Sequence, residues 1–160
     1  MSEPSTKANS IETISAGILH WTIQDKRINN RSDSYAIELP EGTVLIDPLP
    51  LTDEALQQLK NVMAICLTGR FHQRSAWRYQ TYFDVPVYAP HNGDIYEPFA
   101  GQPDKLYRTG DLLPGGLEVK HTPGPSEDHY SFYLARKVES VFFSGDLLIR
   151  ETEDDNFYFV

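Results

Sequence analysis

The sequence is short of three things: cysteine, positive charge and long apolar runs. Its one thiol, Cys66, cannot close an internal disulfide, and within the apolar stretch "VMAICL" it reads as a buried, inert side chain. Lys and Arg number 14 against 23 Asp and Glu, a formal net charge of −9. Such a surface neither wraps nucleic acid nor docks on an anionic membrane, because both need clustered positive charge. Arg70, Arg74 and Arg78 form the one local exception. No segment is long and apolar enough to cross a bilayer, and the opening "MSEPSTKANS" lacks the hydrophobic centre of a secretory signal. A cytoplasmic protein is therefore expected.

Hydrophobic residues make up 40% of the 160, aromatics 12% and charged residues 23%, the balance of a soluble domain that buries a substantial core. Residues 1–10 read as a mobile tail and residues 11–160 as one domain. "GILHWTI" and "SYAIEL" have strand character on either side of the polar turn "QDKRINNRSD", and "GTVLID" is a short buried strand stopped by Pro48. Thr52 offers an N-cap with Asp53 and Glu54 in the first turn, which predicts a helix from Thr52 to Lys60. "VMAICLT" is a buried strand, and the loop "LTGRFHQRSAW" follows it. Ser75 is placed to cap a helix in which Ala76, Tyr79 and Phe83 share a side, so Trp77, Tyr79, Tyr82 and Phe83 are expected in the core. "VPVYAP", "LEVKHTP", "HYSFYLA" and "SVFFSGDLLI" add further strand-like runs. Sheet with interposed helices is an α/β (α+β) layered fold.

Four of these stretches, "GTVLIDPLP", "LTGRFHQRSA", "HTPGPSEDHYSFYL" and "VFFSGDLL", resemble in order the signature segments of the metallo-β-lactamase fold superfamily. The resemblance runs from about Ser15 to Arg150. It implies a four-layer αββα sandwich of the metallo-β-lactamase type, with metals and substrate at the edge where loops following the strands converge. The last ligand histidine of the family belongs to a segment beyond Val160, so a C-terminally truncated version of that sandwich is expected.

The same resemblance implies that the metal chemistry did not follow the fold. Hydrolases of the family carry His-x-His-x-Asp-His directly after the threonine of the second segment. Counted from Thr68, those positions hold Gly69, Phe71, Gln73 and Arg74, none of them a good zinc ligand. His72 falls on a variable position. Sliding the register by one residue turns it into the second histidine but leaves Arg74 and Ser75 where Asp and His belong. In the third segment the ligand position is Pro125, which cannot coordinate anything; His121 opens the phrase and is not usually a ligand, and His129 lies where the family often has a non-ligand histidine. Asp146 matches the aspartate that bridges two metals, and Asp47 the aspartate that supports the site. His20 and His91 read as ordinary strand and loop histidines.

The cleft candidates are thus Asp47, His72, Arg74, His129 and Asp146. In the plainest reading His72 is a solvated loop residue, and the two aspartates accept hydrogen bonds from loop N–H groups. In the sharper one, Asp47 and Asp146 approach each other where two carboxylates without a cation repel. Arg74, failing it Arg70, is then expected to supply the guanidinium, with His72 pointing toward the cleft mouth. Two function classes stay open. The first is a non-catalytic protein with no metal or other cofactor, binding a small molecule or partner in the residual cleft. The second is a metal-dependent hydrolase with one zinc (or iron or manganese) ion on His72, His129 and Asp146, Asp47 or Asp128 being in reserve; three ligands and an open position suffice. The ending "NFYFV" is unusually apolar, and it is there that pairing with a second copy of the chain is expected.

Overall fold

The computed structural model describes residues 3–91, 99–149 and 156–160. Seven strands pair in chain order into a first sheet: β1 (Glu12–Ser15), β2 (Ile18–Asp25), β3 (Asn30–Leu39), β4 (Gly42–Ile46), β5 (Val62–Cys66), β6 (Val87–Pro90) and β7 (Lys105–Tyr107). The first four run antiparallel, joined by tight turns. From β4 onward the pairing is parallel, which requires crossovers. Two short helices lie in the first two of them, α1 (Asp53–Leu56) and α2 (Ala76–Phe83). A second, antiparallel sheet follows in the order β11, β10, β9, β8, made of β8 (Leu112–Leu113), β9 (Leu117–His121), β10 (Tyr130–Leu134) and β11 (Val141–Phe143). The small pair β12 (Leu148–Ile149) and β13 (Tyr158–Phe159) closes the described chain.

The centre of the first sheet is buried on both faces, which explains why "GTVLI" shows no polar alternation: all five residues of β4 are buried. One face packs Ile37, Val44 and Ile46 against Val119, Phe132 and Phe143 of the second sheet. The other packs Trp21, Leu45 and Ile65 against Leu56, Ala76 and Tyr79 of the helical layer. At roughly 1.5–3 kcal/mol for each large apolar side chain removed from water, these two interfaces hold the layers together. Helix, sheet and sheet are three layers of the expected sandwich. The outward positions of the second sheet are polar or part-exposed, with Glu118 and Lys120 paired at 2.8 Å, and among the described residues no helix covers that face.

Several expectations need correction. The polar stretch 24–33 is mostly strand, because its residues pair across β2 and β3 in full register down to Asp25 and Asn30. Only residues 26–29 turn, with Asn29 in the left-handed region (φ 51°) and Arg27 folded back on Asp25. Residues 3–10 are not a free tail. Ala8 is buried and forms a parallel bridge with Leu51, its N–H donating to the Pro50 carbonyl and its carbonyl accepting from Thr52, 2.8 Å each, and Glu3 pairs with Arg78. The first helix is capped as expected, Thr52 Oγ1 accepting from the Ala55 N–H, but α1 ends at Leu56 and the chain turns away before Asn61, another left-handed residue. Ser75 precedes α2 without capping it; its hydroxyl is buried and has no hydrogen-bond partner among the described residues. Tyr82 points outward, 61% exposed, while Tyr79 is fully buried.

Candidate functional site

Four loops meet at one edge, where the chain leaves β4, β5, β9 and β11. Asp47 follows β4 directly and adopts φ 47°, a conformation that aspartate tolerates better than most residues. Its carbonyl is held by the Ser34 hydroxyl (2.5 Å). Its carboxylate turns toward the loop after β5, where Oδ1 accepts from the Thr68 backbone N–H (2.8 Å) and Oδ2 from the Thr68 hydroxyl (2.5 Å). A single turn of 3₁₀-helix, Arg70–His72, then folds the imidazole of His72 back over Thr68. From the far sheet, the left-handed Gly145 (φ 57°) starts the turn that presents Asp146. A β-carbon at Gly145 would lie 2.5 Å from the His129 ring, so only glycine fits there.

His72 joins the two halves of the edge. Its Nδ1 lies 2.7 Å from the Thr68 hydroxyl oxygen and 3.1 Å from Asp47 Oδ2, and its Nε2 lies 2.8 Å from Asp146 Oδ2. Since the Thr68 hydroxyl already donates to Asp47, Nδ1–H must donate, and Nε2 facing a carboxylate must donate too. The ring is an imidazolium. Burial opposes its charge, but Asp47 and Asp146 outweigh burial and raise the pKa to about 9, with Arg74 acting in the opposite direction. Burial likewise pushes the Asp47 and Asp146 carboxyls up, and in both the His72 charge wins, holding them below the ordinary carboxylate range. Asp47 is buried; the Asp146 side chain is about half exposed (52%), so solvent screens its part of the interaction.

His129 stands beside this group in a different state. Its Nε2 accepts the Asp146 backbone N–H (3.0 Å) and its Nδ1 donates to the Thr122 carbonyl (2.8 Å), which fixes one neutral tautomer. Burial lowers its pKa, and the charge on His72 adds to that despite the Thr122 contact.

The structure therefore brings Asp47, His72 and Asp146 together, with His129 behind Asp146. The cation between the aspartates is His72 and not, as expected, Arg74. Arg74 stands at the same edge, also left-handed (φ 41°), but its Nη1 donates to the Asp33 and Asp47 carbonyls (2.6 and 3.1 Å), and it makes no ion pair among the described residues. Arg70, the second choice, is buried in an ion pair with Asp128 (3.0 Å) away from both aspartates. His72 is buried in the edge, not extended to the cleft mouth. Gln73, at another ligand position, is structural: its amide oxygen accepts from Trp77 Nε1 and from the Ala100 N–H. Thr68 and the Arg70–Asp128 pair were not singled out from sequence. A threonine ending an apolar run was the only signal of the first, and nothing local signals a pair 58 residues apart.

A cleft of about 970 Å³ opens over this edge, between the β2–β3 hairpin and β12. Asp47, Thr68, His72, Arg74 and Asp146 lie on its floor; Tyr35, Phe71, Phe143, Leu148 and Phe157 give it apolar walls. The residues present do not fit a zinc site. Both nitrogens of His72 and both of His129 are engaged in hydrogen bonds, and among the described residues no group of three or more His, Cys, Asp or Glu side chains could hold a metal ion. The apolar end of the chain pairs with its own β12, the Val160 N–H donating to the Leu147 carbonyl, and exposes Phe157 and Phe159. No described helix is long and apolar enough to cross a membrane.

No protein-family model matches the sequence, and no curated protein matches it. Solved structures do. A class B3 di-zinc metallo-β-lactamase from an Alaskan soil metagenome superposes with a TM-score of 0.60 at 15% identity, covering 89% of this chain and 66% of the other. A subclass B3 metallo-β-lactamase of Bradyrhizobium japonicum gives 0.63 at 16% identity, covering 91% and 68%. A metallo-β-lactamase from Pontibacter korlensis gives 0.67 at 20% identity, covering 88% and 73%. The chain thus spans just under two thirds of the length of the soil enzyme, and it has the metallo-β-lactamase fold.

Proposed function

We propose that this chain is a metallo-β-lactamase-fold protein in which a protonated histidine has taken the structural place of the metals, and that it binds a small molecule in the edge cleft instead of hydrolysing one. The observation that carries the reading is His72, set between Asp47 and Asp146 with a hydrogen bond to each, 3.1 and 2.8 Å. An imidazolium balances the two carboxylates as a cation would. It cannot act as a Lewis acid, and with both N–H groups committed it is no general base for water. His129 is likewise saturated. The cleft volume lies within the range of small-molecule sites, and its mix of aromatic walls and a few polar groups suits one. The acidic composition favours a small ligand over nucleic acid or an anionic membrane, and a cytoplasmic setting goes with this reading.

Elemental mass spectrometry on protein purified without chelator tests it, together with turnover assays on β-lactam, thioester, lactone and phosphodiester substrates. We expect well under one equivalent of transition metal and rates no faster than background. Stoichiometric zinc lost on His72→Ala, with hydrolysis that a chelator abolishes, would replace this reading by the mononuclear hydrolase.

A further inference from the structure

Four carboxylates line the cleft, Asp25, Asp33, Asp47 and Asp146, and each already faces a cation. Arg27 holds Asp25 at 2.5 Å; His20 and Arg31 hold Asp33 at 2.7 and 3.2 Å; His72 serves the other two. Arg74 is different. It is the cleft arginine that makes no ion pair among the described residues, and its two carbonyl bonds use Nη1 alone. The Nε and Nη2 donors, the edge with which a guanidinium grips a carboxylate in a two-pronged fashion, bond to no described residue. Neither is a sealed-off buried atom, and Arg74 lines the cleft.

An acceptor is also left over. Asp146 gives Oδ2 to His72, while its Oδ1 has no hydrogen bond among the described residues and its side chain is half exposed. The cleft floor therefore offers one open donor fork and one open carboxylate oxygen, beneath walls carrying Phe71, Phe143, Leu148 and Phe157. A simple anion would satisfy the fork but leave Asp146 repelling it. A simple cation meets the converse problem at Arg74.

We infer that the cleft binds a zwitterion with an apolar body, an apolar amino acid or short peptide, with its carboxylate on the Nε–Nη2 edge of Arg74 and its ammonium on Oδ1 of Asp146. This rests on the small-molecule binding reading above and names its ligand class. The fixed hold of two carbonyls on Nη1 presets the fork, so little side-chain freedom is lost on binding.

The uncharged fluorescent dye N-phenyl-1-naphthylamine reports occupancy of the apolar walls, and Phe71→Ser should weaken its binding severalfold. Against the dye we would compete L-phenylalanine, the dipeptide Phe-Leu, N-acetyl-L-phenylalanine, which lacks the ammonium, and L-phenylalaninamide, which lacks the carboxylate. The first two should displace the dye and the last two should be at least tenfold weaker on the unaltered protein. Arg74→Gln should erase the gap between phenylalanine and its amide, and Asp146→Asn the gap between phenylalanine and its N-acetyl derivative, thermal melts confirming that each variant is folded. Dye that binds but is displaced equally by all competitors, or by none, overturns the zwitterion assignment and leaves cleft binding intact. Dye that does not bind, with no heat from any of the four competitors in calorimetry, overturns both.

Discussion

His72 and His129 stand with ring centres 6.3 Å apart at the same edge of the sandwich, both buried, and they are held in different protonation states. Burial acts on both in the same sense, against the proton. What separates them is the partner: two carboxylates around His72, a carbonyl and a backbone N–H around His129. One ring is a cation that ties three loops together, the other a neutral strut beneath the Gly145 turn. A histidine's residue type and depth do not define its role; the polarity of the atoms at its two nitrogens does.

The most direct way to break the comparison is to delete the charged ring. His72→Leu leaves buried Asp47 without its cation and should destabilise the fold by about 3 kcal/mol in urea titrations, whereas His129→Asn should cost clearly less. A pH series removes the same charge without mutation. Because the folded-state pKa of His72 is raised to about 9, its stabilisation is fully present below the ordinary imidazole value near 6.5 and is lost as pH rises through about 9. The lowered carboxyls of Asp47 and Asp146 act at the other end, their contribution falling away as pH drops below the usual carboxylate range. In proton NMR the His72 ring should stay protonated at pH 7.5 while that of His129 is neutral; two rings titrating together near 6.5 would collapse the distinction. Gly145→Ala, which drives a methyl group into His129 from a left-handed backbone, should cost about 1–3 kcal/mol and perturb His129 before His72. Arg74→Ala should have the smallest effect, about 1 kcal/mol, since it forfeits carbonyl hydrogen bonds and not an ion pair.

Most of the scaffold was readable along the chain, because it rests on local patterns. The buried runs "GTVLI" and "VMAIC" became adjacent parallel strands, and Thr52 capped a helix as its neighbours suggested. That a cation must balance Asp47 and Asp146 was also legible, once the family resemblance had set the two carboxylates at one edge. Which cation was not. The family resemblance placed Arg74 at a ligand position, but its left-handed backbone sends the guanidinium to carbonyl groups of β3 and the Asp47 turn. The 3₁₀ turn after Gly69 lifts His72 into the place that spacing had denied it. The docked N-terminal segment escaped prediction for a similar reason: a backbone bridge from Ala8 to Leu51 leaves no trace in side-chain pattern.

The edge network is stitched from far-apart stretches of chain. His72 reaches 25 residues back to Asp47 and 74 residues forward to Asp146, whereas β2 and β3 pair across a four-residue turn. Loop-closure entropy makes such remote contacts late ones. The hairpins and the parallel crossovers pair over shorter loops than the one that brings the imidazole to its second carboxylate, so we expect His72 to act as a latch that closes after the rate-limiting step. Substitutions there should leave the refolding rate nearly untouched and appear almost wholly as faster unfolding. His72 would then govern how long the sandwich stays shut, not how fast it is built.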